Sequence, residues 1–195
     1  MRTPLHKLIL LLSALGVCLA LGACGDSHTK VTGGTYAGES GANAPYLDVG
    51  PLVYEVQLSR QLNPNNAEDS VYLEGLSPTQ RALGAGEEWF AVFMQIYNHS
   101  GRTEPVSRSL TISDTQGDVY FPVVPGASNP FAYRGGQLAA KSRLPELNTT
   151  AADGPTQGTL LLYKIKITSL DNRPLLLKIV DPSDSSRTAT AELDV

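Results

Sequence analysis

The stretch Glu87-Glu88-Trp89-Phe90-Ala91-Val92-Phe93-Met94-Gln95-Ile96-Tyr97-Asn98 decides the fold. Phe90, Val92, Met94 and Ile96 recur at period two, the spacing that places side chains on one face of a β-strand. Trp89, Ala91, Phe93, Gln95 and Tyr97 take the opposite face, which reads as aromatic but polar-tipped. A strand apolar on one face and half-apolar on the other belongs near the middle of a sheet. Asn98-His99-Ser100-Gly101 closes it with turn-forming residues.

Working outward, other segments repeat the alternation. Leu52, Tyr54, Val56 and Leu58 are expected inward, with Glu55, Gln57 and Ser59 outward. Val71-Tyr72-Leu73 reads as a short strand, and Ser77-Pro78-Thr79-Gln80 as one helical turn. Leu110 and Ile112 lead through Asp114-Thr115-Gln116-Gly117 into Val119, Phe121 and Val123, a hairpin pattern. Leu161, Tyr163, Ile165 and Ile167 face in while Lys164 and Lys166 face out. Asp171-Asn172 turns the chain into Leu175, Leu177 and Ile179 opposite Lys178. Ala189, Ala191, Leu193 and Val195 form a last strand. No helix of ten residues can be placed after Cys24. About seven alternating strands predict an all-β fold, an antiparallel immunoglobulin-like β-sandwich, spanning residues 48–195.

Composition sets outer bounds. The chain has 195 residues, with 15 Lys and Arg against 19 Asp and Glu for a net charge of −4. No basic field exists to draw nucleic acid, so that partner is not expected. After removal of a leader, roughly 170 residues would bury about two-thirds of the unfolded surface, enough for a self-supporting core.

That leader occupies residues 1–23. Arg2 and Lys7 precede an apolar run from Leu8 to Leu21, whose helix would span about 21 Å against the roughly 30 Å of a hydrocarbon core. The length suits a secretory signal better than a membrane span. The run ends in Leu21-Gly22-Ala23-Cys24, which resembles a bacterial lipobox: an aliphatic residue, two small ones, then the cysteine that receives lipid. Cys18, after Leu15-Gly16-Val17, is a poorer match. Cys18 and Cys24 are the two cysteines, so the mature domain has neither disulfide nor thiol chemistry. Residues 24–47, small and polar, read as the lipidated N-terminus and a flexible tether. The expected location is the extracytoplasmic face of the cell membrane, held by lipid.

From Pro125 to Gly158 the alternation disappears for about 33 residues. Loops of this length are usually binding loops or disordered. Phe131, Tyr133, Leu144 and Leu147 punctuate it, and they are the candidate interaction residues.

The strand ending in Asn98-His99-Ser100-Gly101, together with Leu110-Thr111-Ile112-Ser113-Asp114-Thr115-Gln116-Gly117-Asp118-Val119-Tyr120 and Gly158-Thr159-Leu160-Leu161-Leu162-Tyr163, resembles a family of bacterial extracellular immunoglobulin-like domains found on lipoproteins. That family carries a telomeric repeat-binding factor label with no functional meaning. The resemblance covers about Val49 to Val195, implies a fold alone, and brings no catalytic residue with it. The 125–157 segment departs from the pattern.

Chemistry is sparse. His6 lies in the leader and His28 in the tether, leaving His99 alone in the domain, too few for a His-based zinc site. No Gly-x-Ser-x-Gly elbow occurs, and Gly84-Ala85-Gly86 enters a strand rather than a helix. Asn63, Asn65, Asn66, Glu68 and Asp69 offer oxygen ligands without calcium-loop spacing and read as a solvated loop. Lys164, Lys166 and Lys178 are expected on one outer face, keeping it soluble. Asn98-His99-Ser100 and Asn148-Thr149-Thr150 match the glycosylation pattern only by chance. No catalytic residue, metal or cofactor is expected. The expectation is a non-enzymatic lipoprotein contacting an unidentified protein or envelope polymer through the loop or an open sheet edge. The alternative is a small-ligand or ion carrier.

Overall fold

The computed structural model describes residues 29–32 and 46–193. The leader, the lipobox Leu21–Cys24, most of the tether and Val195 lie outside the described residues.

Twelve strands follow in order: β1 (Thr29–Thr32), β2 (Tyr46–Val49), β3 (Leu52–Leu62), β4 (Glu87–Asn98), β5 (Glu104–Val106), β6 (Leu110–Ser113), β7 (Val119–Tyr120), β8 (Gly136–Leu138), β9 (Arg143–Leu144), β10 (Thr159–Lys166), β11 (Leu175–Val180) and β12 (Thr188–Leu193). One sheet has the order β10-β4-β3-β2, with β9 also on β4; the other runs β1-β12-β11-β6-β7. β5 and β8 form a separate small ribbon. Every pairing is antiparallel except β1 with β12. The protein is an antiparallel β-sandwich, and β3, β4, β6, β7, β10, β11 and β12 fall where alternation marks strands. The stretch expected to be a flexible tether thus supplies β1, which pairs with the outer edge of β12, and β2 opens at Tyr46.

β4 is central, as its pattern predicts. β3 pairs along one side; β10 pairs along Glu87–Met94 on the other, and β9 takes over at Ile96 and Tyr97. Phe90, Val92, Met94 and Ile96 enter the sandwich core with Tyr54, Val56, Leu161, Tyr163 and Ile165 from their own sheet. Leu110, Ile112, Leu175, Leu177, Ile179, Ala189, Ala191 and Leu193 meet them from the other. Full burial of each larger aliphatic or aromatic side chain contributes about 1.5–3 kcal/mol.

The opposite face of β4 is buried as well. Trp89, Ala91 and Phe93 are fully buried in a second core with Leu62, Tyr72, Leu73, Phe131, Ala151, Leu160 and Leu162. The Tyr72 ring stands edge-on to Phe93 at 4.9 Å and to Phe131 at 5.0 Å, an arrangement favoured by ring quadrupoles. Trp89 therefore packs behind the sheet rather than between the sheets, under the Lys164 ammonium at 5.3 Å. Gln95, expected on a semi-exposed face, is buried too, and its amide oxygen accepts from the Tyr97 hydroxyl.

Three further expectations fail, two of them through parity. A β-bulge between Val56 and Leu58 adds one residue to β3, so Leu58 packs against the second core, not the first. Val71-Tyr72-Leu73 is a 3₁₀ turn after the helical turn Ala67–Ser70, which lets Tyr72 and Leu73 both reach the second core. In the β6–β7 hairpin, Ile112 stands opposite Tyr120. Opposed residues share a face, so Tyr120 packs on the core while Val119 and Phe121 turn outward, Phe121 being 70% exposed. The loop's geometry fixes this register: Asp114 Oδ1 accepts from the Gln116 and Asp118 amides, each at 3.0 Å. Oδ2 accepts from Ser169 Oγ at 2.7 Å.

The Ser77 turn forms as predicted, with a reciprocal capping box between Ser77 and Gln80. Ile167–Leu170 is a 3₁₀ turn that carries the chain from one sheet to the other. Lys164 and Lys166 therefore lie on β10 in one sheet and Lys178 on β11 in the other, and they do not share a face. Ile167, at the start of that turn, is exposed rather than inward.

Val92→Asp should abolish the cooperative melt, because an unpaired charge in this core costs at least about 4 kcal/mol. Lys178→Gln, on an exposed site, should stay within about 0.5 kcal/mol of wild type. Circular-dichroism melts of the two variants check the strand register directly. A second expectation concerns acid. Burial raises the Asp114 carboxyl, but the Ser169 hydroxyl and the amides of Asp118, Gln116 and Gly117 outweigh it and hold the pKa below its ordinary value. Burial likewise opposes the Arg60 and Asn63 contacts that lower Asp69. Folded values below the unfolded one, about 3.9, mean stability present above that pH and lost as pH falls through the folded values. Urea unfolding between about pH 5 and pH 3 should show this loss, with a shallower slope in Asp114→Asn.

Candidate functional site

The segment 125–158 is built rather than loose, and its anchor is polar. Asn129, 2% exposed, makes four hydrogen bonds through its side chain. Its Nδ2 donates to the Tyr72 and Glu74 carbonyls, both at 3.0 Å. Its Oδ1 accepts from the amides of Phe131 at 2.9 Å and Ala132 at 3.1 Å. An Asn amide so enclosed cannot be moved without stranding buried partners. The Arg134 guanidinium closes the same turn on the carbonyls of Pro125 (2.7 Å), Gly126 (2.6 Å) and Asn129 (3.1 Å).

From this turn the chain runs along the free edge of β10. Leu160 N donates to Phe131 O at 2.7 Å, Tyr133 N to Leu160 O at 2.8 Å, and Val123 N to Leu162 O at 2.7 Å. That edge is therefore not open to a partner strand at Leu160 and Leu162, whose backbone groups are already bonded. Tyr133 then reaches between the sheets and donates to the Ser107 carbonyl. The Ser107 amide donates to the Tyr54 hydroxyl at 2.8 Å, and its Oγ to Val180 O at 2.7 Å. Further on, β8 pairs with β5, and Asn98 Nδ2 donates to Leu138 O and Ala139 O at 2.9 Å. Thr149 caps the helical turn Thr150–Asp153, whose Ala151 and Ala152 are buried. Gly158 sits at φ +125, with Met94 N only 2.8 Å from where a Cβ would stand.

The four candidate interaction residues separate accordingly. Phe131 (8% exposed) belongs to the second core, Tyr133 (6% exposed) to the first, and Leu144 packs against the first. They hold the segment down against the two cores. Leu147 is 63% exposed and borders a shallow depression with Tyr97, His99, Lys141 and Arg143. His99 is exposed just past the end of β4 and stacks on Tyr97 at 5.8 Å.

The cavity that this construction encloses is elsewhere. About 310 Å³ lies half-open between β6 and β10. Its walls are Leu110, Pro122–Val124, Tyr133 and Leu160–Leu162, and Arg108, Arg134 and Gly135 edge it. This volume is at the low end of the roughly 300–1,000 Å³ of small-molecule sites, and its apolar lining is typical of them. Sequence reasoning missed Arg108 and Pro122–Val124. The one signal was the apolar run Val119–Val124, which a simple hairpin assigns to the core at alternate positions only.

The polar groups of the 60–69 region serve the fold. Asp69 pairs with Arg60 at 2.6 Å and accepts from Asn63 N at 2.8 Å, while Asn63 and Asn66 oxygens accept from Asn65 and Glu68 amides. The expected solvated loop is in this sense folded on itself. Among the described residues no group of three His, Cys, Asp or Glu side chains could hold a metal ion. Burial raises the Tyr54 hydroxyl to about 12. Burial and then the Glu55 charge raise Tyr97 to about 12, so both stay protonated at neutral pH.

The fold and site thus define an antiparallel β-sandwich with a half-open apolar cavity on one flank. No protein-family model matches the chain, and no curated protein matches it significantly. Among solved structures it is similar to the yjhA protein of Bacillus subtilis, at 12% identity and a TM-score of 0.49, covering 77% of this chain and 97% of that one. It is also similar to the ycdA protein of Bacillus subtilis, described as a candidate lipoprotein, at 7% identity and a TM-score of 0.46. That match covers 78% of this chain and 39% of that one. An uncharacterised β-sandwich protein of Clostridium difficile matches at 9% identity and a TM-score of 0.43, covering 80% and 95%. The label after telomeric repeat-binding factor finds no support at the family level.

Asn129→Ala should loosen the 125–135 segment at a cost of about 3 kcal/mol, since it strands several buried backbone groups. Limited trypsin digestion should then cut after Arg134 markedly faster than in wild type, where cutting is slow.

Proposed function

We propose that this chain is a lipid-anchored, extracytoplasmic binding module that acts without catalysis, meeting a protein or envelope polymer outside the membrane. The observation that carries the reading is the built segment 125–158. Asn129, Arg134 and Tyr133 fix it against the sandwich, and it leaves a half-open cavity with exposed Phe121 and Val124 beside it. A segment fixed in this way holds a surface ready for a partner, at little ordering cost on binding.

The anchor reading is supported by Leu21-Gly22-Ala23-Cys24. Among the described residues no helix is long and apolar enough to cross a membrane. A diacylglyceryl group on the Cys24 thiol would give two acyl chains, and two hold stably where one binds marginally. The non-catalytic reading is supported by the employment of the polar groups. The Tyr54 and Tyr133 hydroxyls are engaged by backbone, and the Asp69 and Asp114 carboxylates are bonded within their own loops. A second reading, a carrier of small solutes, is favoured by the cavity itself.

Cys24→Ser tests the anchor. Wild-type cells grown with labelled palmitate should yield labelled protein in the membrane fraction, and the variant should be unlabelled and unprocessed. Wild-type protein that is unlabelled and free in the medium would remove the anchor. A photoreactive residue at position 121, activated in intact membranes, tests the module: a discrete crosslinked species is expected.

A further inference from the structure

The cavity between β6 and β10 carries a charge pattern unlike that of the whole chain. The chain has a net charge of −4, yet the ionisable groups at the cavity include Arg108 and Arg134 and no carboxylate. The two arginines differ in kind. Arg134 spends its guanidinium on three backbone carbonyls. Arg108 is exposed, and among the described residues its guanidinium enters no hydrogen bond or ion pair. Its side chain nonetheless has a made place. Gly135, at φ +68, lies beneath it, and a Cβ there would stand 2.9 Å from Arg108 Cγ and 3.1 Å from Nε. A glycine in the left-handed region lets the arginine stem lie along the cavity rim.

We propose that this cavity binds small organic carboxylates with an apolar body, the carboxylate pairing with Arg108 and the body lying against Leu110, Val124 and Leu161. The proposal rests on the reading of the chain as a binding module and names the ligand class of that site. A planar guanidinium presents paired donors that match a carboxylate, and the apolar walls offer a hydrocarbon body the burial it lacks in water. A cationic ligand would meet two guanidinium groups. A multiply charged phosphate would find a single free one and otherwise apolar walls. An added peptide strand is disfavoured because the Leu160 and Leu162 backbone groups already bond Phe131, Tyr133 and Val123.

The test uses the full-length chain in lipid nanodiscs, titrated calorimetrically against empty nanodiscs with three probes sharing one body: 4-phenylbutyrate, 4-phenylbutanol and 4-phenylbutylamine. The carboxylate should bind at least about tenfold more tightly than the amine, the range of a charge-assisted hydrogen bond. Arg108→Gln should weaken the carboxylate by about the same factor while leaving the alcohol unchanged. Val124→Trp, a half-exposed wall residue, should weaken all three by filling the mouth. An unchanged melting temperature in Arg108→Gln separates lost binding from lost folding. Equal affinity for the three probes, no binding of any, or indifference to Arg108→Gln would overturn the proposal. If the carboxylate does not bind while the crosslink from position 121 persists, the binding module stands and this ligand class falls. If both fail, the module reading falls with it.

Discussion

Everything in this fold depends on the demand that β4 be buried on both faces. A strand with Phe90, Val92, Met94 and Ile96 on one side and Trp89, Ala91 and Phe93 on the other cannot be satisfied by a two-layer sandwich alone. The second sheet covers the first row. The second row needs a third layer, and it is made from pieces too short to be elements of their own: the turns at Ala67–Leu73, the segment around Phe131 and the turn at Thr150–Asp153. Removing that layer would expose an indole and a phenyl ring on a sheet face, an apolar surface that favours aggregation over solubility.

This third layer explains what the sequence shows and what it hides. Period two marks strands wherever one face is apolar, so β4, β6, β10, β11 and β12 are legible, though Ile167, past the end of β10, is exposed and Val195 lies outside the described residues. It misleads where parity changes. The bulge near Gln57 moves Leu58 to the other core, and the five-residue turn before Val119 moves Val119 and Phe121 outward. Neither event alters composition, so neither leaves a trace in a hydropathy pattern. Tyr72-Leu73 shows a third limit: two consecutive apolar residues suit a strand or a 3₁₀ turn, and the surrounding core decides between them.

The segment 125–158 was the least legible part, because its order comes from polar groups. A hydrophobic pattern cannot report that one Asn side chain satisfies two carbonyls and two amides, as Asn129 does. Nor can it report that Tyr133, Ser107 and Tyr54 link this segment to β3 and to Val180. Buried hydrogen bonds of this kind add modest net stability but penalise every alternative arrangement that leaves a partner unmade. They specify one conformation for a chain that hydrophobic burial alone would leave undetermined. Phe131 and Tyr133 stand out in the sequence; that they anchor the segment to the two cores does not.

The cavity follows from the same construction. β7 pairs with β6 only at Ile112 and Ser113, and β10 is the last strand of its sheet, so the two sheets leave a gap on this flank near Leu110 and Leu161. A larger residue at either position could close it, but both already belong to the main core and are held by register. The covering segment crosses the gap with backbone bonds to β10 at Leu160 and Leu162. Those bonds hold it at a fixed height, so it cannot collapse into the space as a free loop would. An apolar volume is thereby kept open by polar restraints on its rim. Water there has few partners among Leu110, Val124 and Leu161, which favours its replacement by an apolar group. At this rim the Arg108 guanidinium forms no hydrogen bond among the described residues, and it lies where such a group would meet solvent.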